Sequence, residues 1–230
     1  MMDPIEQRLK KAHQAWEQSL QRPILDLRRS LQDRPTEHLA RLAGAVLQGA
    51  QVQLAHFGAP LVLQLPAFAP PPGREIPTAT QALLLYYLVT ADGAPLSGRW
   101  VAFRELPGGS FYHEAFQGYA GSRLAAYFGN ALPAFEQACQ TQGGQKSDFA
   151  ETAFRFEAFP RLPLLAVLWA GDEEFASRGA ILFDSTACHY LPIDACAIVG
   201  SSLVQRLIRT GEQLGEKASS TSTTPLTAME

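Results

Sequence analysis

The segment from Leu83 to Leu88 reads LLLYYL, and it limits the folds open to this chain more than any other feature. Just before it, the pattern Thr78-x-x-Gln81 is typical of a capping box, in which two side chains bond free amides of the first helical turn. A helix that is apolar almost all round is stable only when other elements cover its faces. The sequence therefore predicts a buried central helix that begins near Thr78.

Residues 3–33 predict a first helix, because apolar side chains recur every three or four positions. These side chains are Ile5, Leu9, Ala12, Trp16 and Leu20. Pro23 should break or kink this helix, since proline lacks the amide that a helix interior requires. Thr36 is typical of an N-cap and predicts a second helix that continues through Val46 and Leu47. Residues 1–50 are therefore predicted to form a helical hairpin, which either lies on a sheet or grips a partner.

Beyond residue 50 the apolar period changes from that of a helix to that of a strand. Alternation at 52–56 and an apolar segment at 61–65 predict a β-hairpin. Further strands are predicted at 99–104, 154–158, 164–169 and 180–183, short helices at 122–128 and 131–142, and a last helix from Asp194. Because strands and helices mix without a regular β-α-β order, we predict an α+β fold. It has a largely antiparallel sheet, a buried central helix, an N-terminal helical hairpin and a C-terminal helix.

Composition excludes several classes of protein. Of 230 residues, 47% are hydrophobic and 18% charged, so the chain can bury a core and is not disordered throughout. The net charge is −3 and the basic residues are scattered, which argues against a nucleic-acid-binding protein. No apolar run reaches the roughly 18 residues of a membrane span. We predict a helical arm at 1–50, an α+β domain at 51–215 and a disordered tail at 216–230, which is rich in Ser and Thr.

The cysteines indicate the compartment. Cys139, Cys188 and Cys196 are an odd number without a Cys-x-x-Cys pair, which fits neither a disulfide framework nor a thiolate metal or iron–sulfur site. Cys188 beside His189 resembles a thiolate pair, but neighbours on a strand point to opposite faces. The charged N-terminus has no signal-peptide pattern, so we expect a cytoplasmic protein.

Residues 171–192 gather acidic side chains, a histidine and a tyrosine at the ends of two predicted strands, where loops converge. Asp184 and His189 are the candidate catalytic residues, as a carboxylate-oriented base or part of a metal site. Glu173 or Glu174 would add acidic help. The alternative is structural, with a solvated turn around Glu173, a capping role for Asp184 and a packed His189. The spacing matches no metal motif, so no metal ligand is assigned.

A second candidate site lies between residues 104 and 123. Its glycine-rich turn can present backbone amides, and its arginines supply charge for a phosphate or carboxylate. The predicted ligand-binding residues are Arg104, Gly108, Gly109, Tyr112, His113 and Arg123. Aromatic side chains crowd the same segment and suit a flat, tetrapyrrole-like cofactor, with His113 or His189 as an axial ligand. The alternative is a tight turn with surface arginines beside an aromatic part of the core.

In its motifs the chain resembles an uncharacterised family, a domain of unknown function found mostly in anaerobic bacteria and archaea. The motifs are LLYYL at 84–88 before ADG at 91–93, FRELPGG at 103–109, FPRLP at 159–163, GDEEF at 171–175, ILFD at 181–184 and YLP at 190–192. The resemblance covers roughly residues 40–210. It implies a setting in anaerobic redox or corrinoid metabolism, because some members carry iron–sulfur modules. This chain has no such cysteine module, and the family implies no reaction.

Three hypotheses of function follow. The first is a cytoplasmic accessory protein that binds a small anionic or tetrapyrrole-like ligand, of unknown identity, between the 104–123 and 172–189 segments, or that docks on a redox enzyme. The second is a hydrolase or transferase-like enzyme that uses Asp184 and His189, with or without a metal. The third is a structural role, in which the N-terminal hairpin packs against a second copy or another subunit.

Overall fold

A computed structural model describes the backbone of residues 4–221 and the side chains of residues 18–216. The helices are α1 (Pro4–Gln32), α2 (Thr36–Ala43), α3 (Thr78–Thr90), α4 (His113–Tyr119), α5 (Gly121–Phe128), α6 (Leu132–Thr141) and α7 (Ile193–Thr221). The strands are β1 (Val46–Gln48), β2 (Gln51–His56), β3 (Ala59–Gln64), β4 (Trp100–Ala102), β5 (Gln145–Lys146), β6 (Ala153–Phe159), β7 (Leu162–Trp169) and β8 (Arg178–Asp184). None of the helices in this part of the chain is long and apolar enough to cross a membrane.

Two antiparallel sheets confirm the predicted α+β fold. The first has the strand order β1-β2-β3, and the second has the order β4-β8-β7-β6-β5. The continuous apolar run Leu162–Leu168 forms the central strand β7 and is buried along its whole length. A central strand has sheet on both edges and covered faces, which explains why its sequence shows no alternation.

Helix α3 is the buried helix that the LLLYYL segment predicts. Its side chains from Leu83 to Leu85 and at Tyr87 and Leu88 are at most 4% exposed. The hydroxyl of Tyr87 donates to the carbonyl of Ala43 at 2.8 Å and accepts from the amide of Arg161 at 3.0 Å. These bonds satisfy the one polar atom on the helix core face and tie α3 to α2 and to the β6–β7 turn.

The capping box at the start of α3 is not formed. Pro77 occupies the N-cap position, and no side chain caps the first turn. Gln81 instead donates from Nε2 to the carbonyl of Ile76 at 2.6 Å, and its Oε1 accepts from Arg28 of α1 at 2.9 Å. The same side chain therefore fixes the preceding loop and joins α3 to α1.

The two predicted N-terminal helices are present as α1 and α2, and α1 packs against α3. Helix α1 continues through Pro23 instead of ending there. Helix α2 starts behind Pro35 and ends at Ala43, because Gly44 adopts a left-handed φ of 67°. Residues Val46–Gln48 therefore form strand β1, and the prediction of helix there was wrong.

Parts of the predicted arm and tail lie outside the described residues. These parts are the side chains of Ile5, Leu9 and Trp16 and the whole of residues 222–230. Helix α7 continues to Thr221. The division into parts at residues 50 and 215 stays a prediction.

Candidate functional site

Asp184, the first candidate catalytic residue, is a buried acceptor at the end of β8 with 2% of its surface exposed. It accepts from the amide of Gly98 at 2.7 Å, and from the amide and hydroxyl of Ser97 at 3.2 and 2.9 Å. It also accepts from the amide and hydroxyl of Thr186 at 3.0 and 2.6 Å. Burial alone would raise the pKa of Asp184, but the bonds from Thr186 and Ser97 outweigh it and lower the pKa. Asp184 therefore anchors the Ser97–Gly98 loop to the sheet.

His189 pairs with Asp92 and not with Asp184, so Asp184 is not the carboxylate that orients its imidazole. Its Nδ1 lies 2.7 Å from Oδ2 of Asp92, and the two side chains are 50% and 54% exposed. The donors around Asp184 already occupy its oxygens, while the 3₁₀ turn Ala187–His189 carries the imidazole to the loop that follows α3. The hydrogen bond from His189 lowers the pKa of Asp92. A catalytic role for Asp184 or His189 stays a prediction.

The acidic turn before β8 is a solvated hairpin turn. Oδ1 of Asp172 accepts from the amides of Glu174 and Phe175 at 2.9 and 2.7 Å, and Glu173 and Glu174 are exposed. These local bonds are the usual reason for Asp at the start of a turn. This geometry agrees with the structural alternative for this segment.

The predicted ligand-binding residues between 104 and 113 lie in one compact segment. The 3₁₀ turns Phe103–Glu105 and Gly109–Tyr112 pack against each other and lead into α4. Gly108 has a φ of 79°, and at Gly109 a Cβ atom would lie 1.9 Å from the carbonyl oxygen of Phe103, so both glycines have steric reasons to be there.

The side chains of this segment point in different directions. Arg104 and Arg123 are exposed, Tyr112 is 54% exposed, and Nδ1 of His113 is buried without a hydrogen-bond partner among the described residues. Arg123 lies on α5, one helix further along the chain. The predicted ligand-binding roles of these residues stay predictions.

The two candidate segments do meet in space, where α4 and α5 contact the start of β8. Gln117 donates to the carbonyl of Gly179 at 3.1 Å, and a Cβ atom on Gly121 would lie 2.3 Å from that carbonyl oxygen. A cavity of about 340 Å³ lies there, lined among others by Ser122 and Arg178. None of the described residues that line it is one of the predicted site residues.

Some aromatic side chains of the predicted aromatic segment lie in the core, and others lie on the surface. Phe116 stacks on Phe103 with ring centroids 4.4 Å apart and is buried. Phe111 is 87% exposed, and Tyr119 and Tyr127 are each 40% exposed. The buried members agree with the alternative of an aromatic core, and binding of a tetrapyrrole-like ligand stays a prediction.

A cavity with a largely polar lining lies elsewhere, between α3 and α7, and was missed in the sequence. This α3–α7 cavity has a volume of about 430 Å³. Its lining residues are His56, Ala79, Thr80, Leu83, Gln142, Ser202, Gln205, Arg206, Arg209, Thr210 and Gln213. The members from α7 recur every three or four residues, so they form one face of that helix.

Arg206 and Arg209 give this cavity a positive charge without a compensating acid. Neither guanidinium lies within ion-pair distance of a carboxylate in the part of the chain whose side chains are described, and no acidic residue lines the cavity. The Arg206 guanidinium stacks over the Phe57 ring, 4.8 Å from its centroid. Burial lowers the pKa of Arg206, and the charge of Arg209 lowers it further. Arg206 nevertheless remains charged near neutral pH, because an arginine ordinarily titrates far above it.

His56 is the buried histidine of the same wall. Its Nδ1 lies 3.0 Å from the carbonyl oxygen of Ala158, and since that oxygen only accepts, Nδ1 carries the proton and Nε2 is the acceptor. The pKa of His56 is lowered to about 4, mainly by burial. The bond to Ala158 raises this pKa and the charge of Arg206 lowers it, but both effects are smaller than that of burial. His56 is therefore neutral near pH 7.

Uncharged polar groups complete the wall. Gln142 donates from Nε2 to the hydroxyl of Thr210 at 2.8 Å, and that hydroxyl donates to the carbonyl of Arg206 at 2.9 Å. Thr80 lies in the first turn of α3, where helix amides lack carbonyl partners and carry partial positive charge. Together with the arginines, these groups can hold an anion.

The sequence contained only weak indications of the α3–α7 cavity. Arg206 and Arg209 are three residues apart, which places them on the same helix face. His56 stands on the buried face of an alternating strand. Nothing in the local pattern joins His56, Gln142 and the two arginines, because they come from separate elements.

Comparison with known proteins gives one match. A family model described as Domain of unknown function (DUF3786) matches residues 35–206. This range contains the α3–α7 cavity residues from His56 to Arg206, while Arg209, Thr210 and Gln213 follow it. No curated protein and no solved structure matches the chain. Within the described residues, no group of three or more His, Cys, Asp or Glu side chains is placed to hold a metal ion.

Proposed function

The chain belongs to the family of domains of unknown function DUF3786, and on this premise we propose that it binds a small anionic ligand in the α3–α7 cavity. The observation that carries the proposal is the pair Arg206 and Arg209 on one cavity wall without an acidic neighbour in the lining. A buried or half-buried charge is normally paired, because desolvation is otherwise costly. Arg206 is half-buried without a carboxylate partner among the described residues, and the exposed Arg209 lies beside it, so the pair suits a ligand that brings the negative charge.

Phosphate and carboxylate groups fit this cavity best by chemistry. A guanidinium presents parallel N–H donors that match two oxygens of such a group. The hydroxyl of Thr80 and the side-chain amides of Gln205 and Gln213 add donors. Nε2 of neutral His56 accepts a hydrogen bond, which suits an oxyanion that still carries a proton.

The proposed function, binding of an anionic ligand, is of the predicted class, but the proposed binding site is a different one. The ligand is anionic, as predicted, but its site lies between α3 and α7 and not at Arg104–Arg123. The cytoplasmic location and the setting in anaerobic redox or corrinoid metabolism stay predictions. A redox-enzyme partner, a homo-oligomer and a hydrolase or transferase activity also stay predictions, and for that activity the partner of His189 is Asp92.

Isothermal titration calorimetry tests the proposal with inorganic phosphate, sulfate, citrate and acetate at constant ionic strength. We expect at least one polyvalent anion to bind the full chain. The double variant Arg206→Gln with Arg209→Gln should lose about hundredfold in affinity, because each charged hydrogen bond contributes roughly 1.5–3 kcal/mol.

The matched control removes the same charge from the site predicted in the sequence, by Arg104→Gln with Arg123→Gln. This variant should bind as tightly as the unmodified chain. Equal affinity in the Arg206/Arg209 variant, or loss in the Arg104/Arg123 variant alone, would overturn the assignment.

A further inference from the structure

We infer that the ligand is amphipathic, with an anionic head at Arg206 and Arg209 and an apolar group of about six carbon atoms in an adjoining apolar cavity. This inference rests on the proposed function and names the class of ligand. It is carried by a second cavity, of about 160 Å³, which shares the lining residues Ala79 and Leu83 with the α3–α7 cavity.

The walls of the second cavity are almost entirely apolar. Its other lining residues include Leu20 of α1, Ala82 and Tyr86 of α3, and Ala195 and Ile198 of α7. An apolar group that lies against these side chains is removed from water and gains van der Waals contacts.

The two cavities follow each other along the same pair of helices. Ile198 lines the apolar cavity and Ser202 lines the α3–α7 cavity, one helical turn or about 6 Å further along α7. On α3, Ala79 and Leu83 face both cavities. The inferred ligand passes along Ala79 and Leu83 from one cavity to the other, with its polar end toward the arginines.

The charges on the two cavities fix a single orientation. Asp194 lies at the apolar cavity, where its carboxylate repels an anionic head group. Arg206 and Arg209 attract that head at the other end. An anion with an alkyl or aromatic body, such as an alkyl phosphate, matches this arrangement, whereas a small inorganic anion fills only the basic half.

Calorimetric titration of the full chain with inorganic phosphate and with methyl, butyl, hexyl and octyl phosphate, below their micelle concentrations, tests the inference. Burial of each methylene should strengthen binding by about two- to fourfold up to six carbons, with little gain beyond. Hexyl phosphate should therefore bind at least about sixtyfold more tightly than inorganic phosphate.

The variant Ile198→Trp fills the apolar cavity and should bring the ratio of hexyl phosphate to phosphate affinity close to one. Leu25→Trp, the same bulky addition at an exposed position of α1, should leave that ratio unchanged. If Ile198→Trp does not fold, the series of alkyl phosphates measured on the unmodified protein still tests the inference.

The outcomes separate the inference from the proposed function. Phosphate binding that is independent of chain length would overturn the amphipathic ligand and leave the anion site in place. If affinity still rises with alkyl chain length in a folded Ile198→Trp variant, the alkyl group binds elsewhere and the inference is overturned. Absence of binding by every phosphate and by the other anions would overturn the proposed function itself.

Discussion

The guanidinium of Arg206 lies over the ring of Phe57, 4.8 Å from the ring centroid, and this contact holds a positive charge at the α3–α7 cavity. In most proteins a half-buried arginine is held by a carboxylate, which also cancels its charge. Here an aromatic ring holds the arginine instead. The charge therefore stays available to a ligand.

Phe57 makes the role of this contact testable. It forms a two-residue turn with Gly58 and has a φ of 47°, a conformation that asparagine tolerates much better than other residues. Phe57→Asn keeps the turn but removes the ring, and we expect phosphate affinity to fall about three- to tenfold. Phe57→Tyr keeps the ring and should bind normally. Calorimetry with both variants measures this, and equal affinities would show that the stacking does not position Arg206.

His56 should make folding stability depend on pH. Its pKa of about 4 in the folded chain lies below the ordinary 6.5, so below pH 6.5 the unfolded chain binds a proton that the folded chain does not. The free energy of unfolding should therefore fall by roughly 3 kcal/mol between pH 7 and pH 4.

His56→Asn removes this pH dependence, because the asparagine amide can still donate to Ala158 but does not titrate. Urea unfolding at several pH values, without added anions, compares the two proteins. The same slope in both would show that His56 is not the group responsible.

Asp184 and His189 should differ strongly in their contribution to stability. Asp184→Asn places an amide among the donors of Ser97, Gly98 and Thr186, and we expect a loss of about 2–4 kcal/mol. His189→Ala removes only a half-exposed pair with Asp92 and should cost less than about 1 kcal/mol. Urea unfolding measures both values. Similar losses would contradict the structural role that we assign to Asp184.

Cys188 should be the reactive thiol of the chain. The neighbouring thiol of Cys196 and the nearby His189 lower the pKa of Cys188 against the effect of its partial burial, whereas burial raises the pKa of Cys139. Iodoacetamide should therefore label Cys188 first in the folded chain, as read by peptide mass spectrometry.

Two controls accompany the labelling of Cys188. Cys196→Ala should slow it, and in urea all three cysteines should react at similar rates. Equal labelling of Cys139 in the folded chain would contradict these pKa shifts.

The local pattern of the sequence was sufficient for most of the fold. The apolar segments at α3 and β7 can be stable only when covered, and the turn residues at Phe57-Gly58 join two short strands, so each element follows from neighbours in the chain. Strand β1 and helix α4 were missed because their short segments take their conformation from contacts with other elements, which propensity does not show.

The candidate site depended on contacts that the sequence does not display. His189 and Asp92 are 97 residues apart, and the cavity brings together side chains from His56 to Gln213. Asp184 was predicted as a base because its donors, Ser97 and Gly98, lie on a loop more than 80 residues earlier in the chain. A site that is built by packing of separate elements becomes visible only in the folded chain.

Histidine ring ¹⁵N NMR during a phosphate titration tests the anion site most directly, because three histidines report on three places in one experiment. His56 reports on the α3–α7 cavity, His113 on the segment that contains Arg104, and His189 on the pair with Asp92. Single histidine-to-asparagine variants assign the signals. We expect the His56 signal to shift and saturate with phosphate while the other two stay unchanged. A saturating shift at His113 with His56 unchanged would contradict the site that we assign between α3 and α7.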